Sequence, residues 1–138
     1  MPVKKTPGHA LPDLIEIITK LRAEDGCPWD KKQTPGSIKK YLLEETAELV
    51  EAIDEGDPTH IQEEIGDLFY ILAMLCEMFD EQDEFDVDDA LLTISEKMIR
   101  RHPHVFAGMV TGDEPALKKQ WEAIKHQEQS MKSRRSRR

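Results

Sequence analysis

Two short acidic clusters hold the residue types that could do chemistry: Glu44, Glu45 and Glu48 in LEETAEL, then Glu64 and Asp67 in EEIGDL. A spacing of three puts Glu45 and Glu48 on one face of a helix, and Glu64 and Asp67 on one face of another. Tyr41 and Ala52 share the first stripe, and Ile61, Ile71 and Met74 share the second, so the acids fall where core residues belong. Carboxylates on apolar seams repel one another and lose solvation unless a positive charge neutralises them. A divalent cation answers that need, because Mg2+ takes carboxylates together with water and brings phosphate substrates with it. Mn2+ suits the same all-oxygen set. The four acids therefore predict a metal site for phosphate chemistry. The bland alternative, a solvated acidic face, does not account for the shared apolar stripes. Gly66, inside the second helix at a cost of about 1 kcal/mol relative to Ala, reads as a point of close approach.

The elements that must position these acids are helices, since helical periodicity recurs along the chain and no strand alternation competes with it. Helices are expected from about Leu11 to Glu24, Ser37 to Asp54, Pro58 to Phe79, Val87 to Arg101 and Pro115 to Gln129. That is an all-α bundle of four to five helices in one domain at 11–129. It stands between a flexible N-terminus at 1–10 and a basic, disordered tail at 130–138. EGDP at 55–58 reads as a tight turn with Asp57 as N-cap and Pro58 in the first helical position. So short a connection makes the two acid-bearing helices antiparallel neighbours. DGCPWDKKQTPGS and HPHVFAGMVTGDE read as loops. The run LFYILAMLCEMF is apolar on nearly every side, more than a chain of 138 residues can surround. A homodimer, or a dimer of dimers, is expected to complete that core.

Bulk composition excludes several classes. The net charge is −9, and the final KSRRSRR carries five of the 19 basic groups, leaving 14 basic against 28 acidic groups elsewhere. A body that acidic is a poor nucleic-acid binder, so any such contact is confined to the tail. Cys27 and Cys76 show no metal-ligand spacing and no disulfide framework, which suits a reducing cytoplasm. The first residues lack the apolar stretch of a signal peptide, and no apolar run reaches the ~20 residues that cross a membrane.

LEETAEL followed by EEIGDL resembles the E-E-x-x-E, spacer, E-x-x-D signature of the all-α nucleotide pyrophosphohydrolases of the MazG type, with fifteen residues between Glu48 and Glu64. GCPWDKKQT at 26–34, RRHPHVF at 100–106 and WEAIK at 121–125 extend the resemblance to about residues 11–129. Members with two such domains in tandem are common, and this chain resembles the single-domain form. The basic tail is not part of the signature. The resemblance implies that Glu45, Glu48, Glu64 and Asp67 ligate Mg2+, and that a nucleoside triphosphate is cleaved at the α-phosphorus to a monophosphate and pyrophosphate. Glu44, turned about 100° from Glu45 on the helix, is the candidate for positioning or deprotonating the attacking water. A ferritin-like di-iron bundle, the rival metal reading, needs Glu-x-x-His, and no His follows any of these acids at that spacing.

A triphosphate also needs cations. Lys97, Arg100 and Arg101 form one basic edge at i, i+3 and i+4, either binding phosphate or complementing a helix C-terminus. Lys32, with Lys31, is a weaker candidate. Trp29 is either a plug on the bundle or a stacking surface for a base. Trp121, His102 and His104 read as structural. Nucleotide-pool cleaning is the expected role. The alternatives are hydrolysis of another pyrophosphate compound, such as a nucleotide sugar or an alarmone, or a non-catalytic helical interaction module.

Overall fold

The computed structural model describes residues 7–109 and 112–136, with side chains as far as Lys132. Among the described residues there are seven helices and no strand: α1 Ala10–Leu21, α2 Pro28–Lys32, α3 Pro35–Glu55, α4 Pro58–Asp80, α5 Val87–Arg101, α6 Pro103–Phe106 and α7 Glu114–Ser136. None is long and apolar enough to cross a membrane. The chain divides into two compact units, residues 1–88 and 89–138.

In the first unit, α1 ends three residues earlier than its periodicity suggests. The backbone turns back there, with the N–H groups of Gly26 and Cys27 donating to Ala23 and Leu21 carbonyls at 2.8 Å. A Cβ on Gly26 would lie 2.3 Å from the Leu21 carbonyl oxygen, so only glycine permits this reversal. The segment read as a loop then winds one turn, α2, with Pro28 at its start. At the head of α3, Thr34 and Ser37 bond each other's backbone N–H, at 3.1 and 2.8 Å, a reciprocal cap that starts the helix two residues before Ser37. Gly56 closes α3 at φ 78°, and Asp57 Oδ1 accepts from the Thr59 N–H at 3.1 Å to open α4, as expected for that turn. This tight connection lays α3 along α4, with α1 packed on α4 as well.

Their core holds Ile18, Ile38, Ile71, Ala73, Met74 and Met78, flanked by Leu14, Ile15, Tyr41, Leu42, Tyr70 and Leu75. One side of α4 stays outside it: Ile65, Phe69 and Leu72 are 42%, 50% and 42% exposed. Gly66 corrects the sequence reading, since a Cβ there would meet nothing within 4 Å. No close approach among the described residues requires glycine at this position.

In the second unit, α5 follows its predicted span, and the HPHVF segment forms the single turn α6. Arg101 lies over the Trp121 ring at 5.1 Å, and His102 meets the same ring edge-on at 5.2 Å. These contacts make Trp121 and His102 packing residues, as their setting in the sequence suggests. α7 runs past Gln129 to Ser136 and takes in most of the stretch read as a disordered tail. No Gly or Pro interrupts it, and Met, Lys and Arg are good helix formers. The expectations for residues 1–6 and 137–138 lie outside the described residues.

Candidate metal centre

Glu45 and Glu48 come from α3, and Glu64 and Asp67 from α4. One carboxylate oxygen of each lies within 4.8 Å of the others. The folding reason is local. On α3 the stripe that seats Tyr41 against the core also buries Ala52 completely, and Glu45 and Glu48 ride between them. On α4 the stripe running to buried Ile71 carries Glu64 and Asp67. Packing these two stripes together converges the acids, and Glu64 is left only 7% exposed.

Such an arrangement is electrostatically costly. Glu45 Oε2 and Glu64 Oε2 are both buried and find no hydrogen-bond partner among the described residues. Burial, then Glu48, Asp67 and Glu64, push the Glu45 carboxyl up to about 6. Burial first, followed by Glu48 and Asp67, also raises that of Glu64. Buried acceptors without donors are a deficit that native proteins rarely leave. An all-oxygen set with two orphaned buried oxygens fits a hard divalent cation such as Mg2+ or Mn2+.

The structure adds a residue that sequence reasoning passed over. His60 Nε2 stands 3.3 Å from Glu64 Oε1, and its Nδ1 is 3.1 Å from Glu55 Oε2. Glu55 above all raises the imidazole's pKa, with Glu64 adding to it. His60 thus orients one oxygen of Glu64 and leaves the other unpaired. The signal was its position four residues before Glu64, on the same helix face. Glu44 is exposed on α3 beside Glu45.

Trp29 and Lys32 border a cleft of about 230 Å³ whose other walls are Gln33, Ser37, Lys40 and Tyr41. The Trp29 ring meets Tyr41 edge-on at 5.3 Å and remains 36% exposed, so it is not buried as a plug. Lys40 Nζ sits 4.9 Å above the Tyr41 ring. Lys40 and Tyr41 were not foreseen as cleft residues. Tyr41 precedes Glu45 by one helical turn on the same stripe, about 6 Å along the axis, so the aromatic wall adjoins the carboxylates. Lys31 is not part of the cleft lining and donates to the Glu24 carbonyl instead.

Lys97, Arg100 and Arg101 belong to the second unit, where Lys97 is half-buried. Both guanidiniums there share one carboxylate: Arg100 Nη2 and Arg101 Nη2 each lie 3.1 Å from a Glu128 oxygen. Arg101 first, and Arg100 with it, hold the Glu128 carboxyl below its ordinary value. The basic edge read from the sequence is thus already partly neutralised by α7.

Residues 33–106 match the MazG nucleotide pyrophosphohydrolase domain. The chain is 44% identical over 129 residues to the nucleoside triphosphate pyrophosphohydrolase/pyrophosphatase MazG of Thermotoga maritima, covering 93% of this chain and 49% of that protein. It is 40% identical over 124 residues to the nucleoside triphosphate pyrophosphohydrolase of Escherichia coli strain K12, covering 89% of this chain and 47% of the relative. Similarity also reaches the uncharacterized protein YabN of Bacillus subtilis, at 44% over 122 residues, 88% of this chain and 25% of that one. The chain thus spans between a quarter and a half of the length of these relatives. Among solved structures, the crystal structure of a mazG-related protein from Thermotoga maritima aligns with a TM-score of 0.69 at 28% identity, over 83% of this chain and 98% of that one.

Proposed function

Since this chain belongs to the MazG nucleotide pyrophosphohydrolase domain family, we propose that it is a Mg2+-dependent hydrolase that converts a (d)NTP to the (d)NMP and pyrophosphate. The observation that carries this reading is the meeting of four carboxylates within 4.8 Å with two buried oxygens left unpaired. Glu45, Glu48, Glu64 and Asp67 hold the cation, which when bound offsets phosphate charge and orients a water. Mn2+ is the substitute cation. His60 keeps Glu64 aimed. Glu44, exposed beside Glu45, accepts the proton of the attacking water at its carboxylate. Trp29 and Tyr41 offer an aromatic wall to the nucleoside, and Lys32 and Lys40 offer ammonium groups at its edge. Lys97, Arg100 and Arg101 are the phosphate-binding candidates of the second unit.

A homodimer, or a dimer of dimers, covers the exposed Ile65, Phe69 and Leu72 side of α4. The working domain is residues 11–129, acting in the cytoplasm to clean the nucleotide pool. The test is product analysis after incubation with the common NTPs and dNTPs, with Mg2+ or with EDTA. Monophosphate and pyrophosphate formed only with Mg2+ support the reading. Diphosphate and phosphate would contradict cleavage at the α-phosphorus. No turnover of any nucleotide would shift attention to nucleotide sugars and alarmones, and then to a non-catalytic interaction module.

A further inference from the structure

Around α2 the usual order of burial is inverted. The acid Asp30 is 5% exposed, while its neighbour Trp29, the largest apolar side chain in the segment, is 36% exposed. A five-residue helix has no stability of its own, so its placement is imposed from outside. Three neighbours impose it. From α4, the Tyr70 hydroxyl donates to Asp30 Oδ1. From the end of α1, Arg22 Nη1 donates to the carbonyls of Asp30 and Gln33 at 2.6 and 3.2 Å. Arg22 is itself anchored on Glu81 through Nε and Nη2, at 2.8 and 2.9 Å. From α3, Ser37 Oγ donates to Gln33 Oε1 at 2.7 Å, and Gln33 Nε2 donates to the Trp29 carbonyl at 2.9 Å. Burial, with Asp30, raises the Tyr70 hydroxyl, so it keeps its proton and stays a donor at neutral pH.

A buried carboxylate and guanidinium are a costly way to fasten a loop that an inward-turned Trp could fasten by packing alone. We propose that Tyr70, Asp30 and Arg22 are positioning residues whose task is to hold α2 with Trp29 and Lys32 facing the cleft beside the carboxylates. The network fixes the backbone from the Trp29 carbonyl to Gln33 and leaves the ring free of the core. This proposal rests on reading the cleft as the nucleoside site of the hydrolase, and it makes the network the source of substrate affinity there. The four carboxylates lie on other turns of α3 and α4, so the chemical step is not its target.

A double-mutant cycle on the full chain separates the two layers. Tyr70→Phe, Trp29→Ala and the double variant are assayed at saturating Mg2+ for kcat and KM, on the best substrate among ATP, GTP, CTP, UTP and their deoxy counterparts. Tyr70→Phe is expected to raise KM about 3- to 10-fold, the range that one lost hydrogen bond produces, with kcat unchanged. Trp29→Ala raises KM as well, and adding Tyr70→Phe to it raises KM no further, because the network acts through the ring. Equal Tyr70→Phe effects in both backgrounds, or an unchanged KM in Tyr70→Phe, would overturn the positioning role alone. An unchanged KM in Trp29→Ala would overturn the nucleoside reading of the cleft, and turnover of none of the eight would overturn the hydrolase reading; either removes the inference. Should Tyr70→Phe not fold, Arg22→Lys takes its place in the same cycle, keeping the charge on Glu81 but not the two carbonyl contacts.

Discussion

Replacing Glu45 with Gln should make the metal-free protein more stable and the metal-loaded protein relatively less so. In the fold, burial and the neighbouring acids raise the Glu45 carboxyl from 4.5 to about 6. A shift of that size corresponds to about 2 kcal/mol between protonation states. Glu45 is only half-buried, and solvent screening reduces this to about 1 kcal/mol. Because the folded value lies above the unfolded one, this contribution is fully present below pH 4.5 and is lost as pH rises through 6. Glu45→Gln cannot ionise and escapes the loss. In EDTA at pH 8 its Tm should therefore exceed that of the natural chain by roughly 3–6 °C, and the gap should close toward pH 4.5. Mg2+ at 100 times its Kd adds about 2.7 kcal/mol to the natural chain but less to a variant with one of four ligands removed, so the order of stabilities should reverse. Calorimetric scans from pH 4.5 to 8, with Mg2+ and with EDTA, read out both effects. A variant less stable than the natural chain in EDTA at pH 8, or one gaining as much from Mg2+, would refute the metal-site reasoning.

Glu44→Gln should lower kcat by about 10²- to 10⁴-fold, as loss of a general base does, while the Mg2+-induced rise in Tm persists; Glu48→Ala should lose both. Arg101→Ala removes the cation stacked on Trp121 and leaves Glu128 to Arg100. Denaturant melts should show it destabilised by about 1–2 kcal/mol, and steady-state kinetics should show a higher KM. Asp57→Ala deletes the N-cap of α4 and should cost about 1 kcal/mol in the same melts, leaving the best substrate unchanged.

The helices and their acids were legible before any coordinates. Glu45, Glu48, Glu64 and Asp67 announce themselves through i, i+3 spacing on stripes shared with core residues, and Asp57-Pro58 marks the turn that makes their helices neighbours. Those are local features, written in a 3.6-residue period and in cap chemistry. The ends of α1 and α7 were less legible, because a Gly26 reversal or an uninterrupted run of good helix formers shifts a boundary without disturbing the period. Gly66 misled, since composition cannot say whether the space beside a glycine is filled.

Only the tertiary structure decided the rest. That Glu45 and Glu64 each hold an oxygen without a donor follows from how closely α3 packs on α4. That His60 bridges Glu55 and Glu64 follows from the path of the chain around Gly56. That Asp30 goes inside while Trp29 stays out depends on Tyr70, forty positions away, and on Arg22, positioned by the end of a different helix. Periodicity determines which face a residue occupies on its own element. Whether a polar atom there finds a partner is set by side chains from other elements, and their arrival is a property of packing.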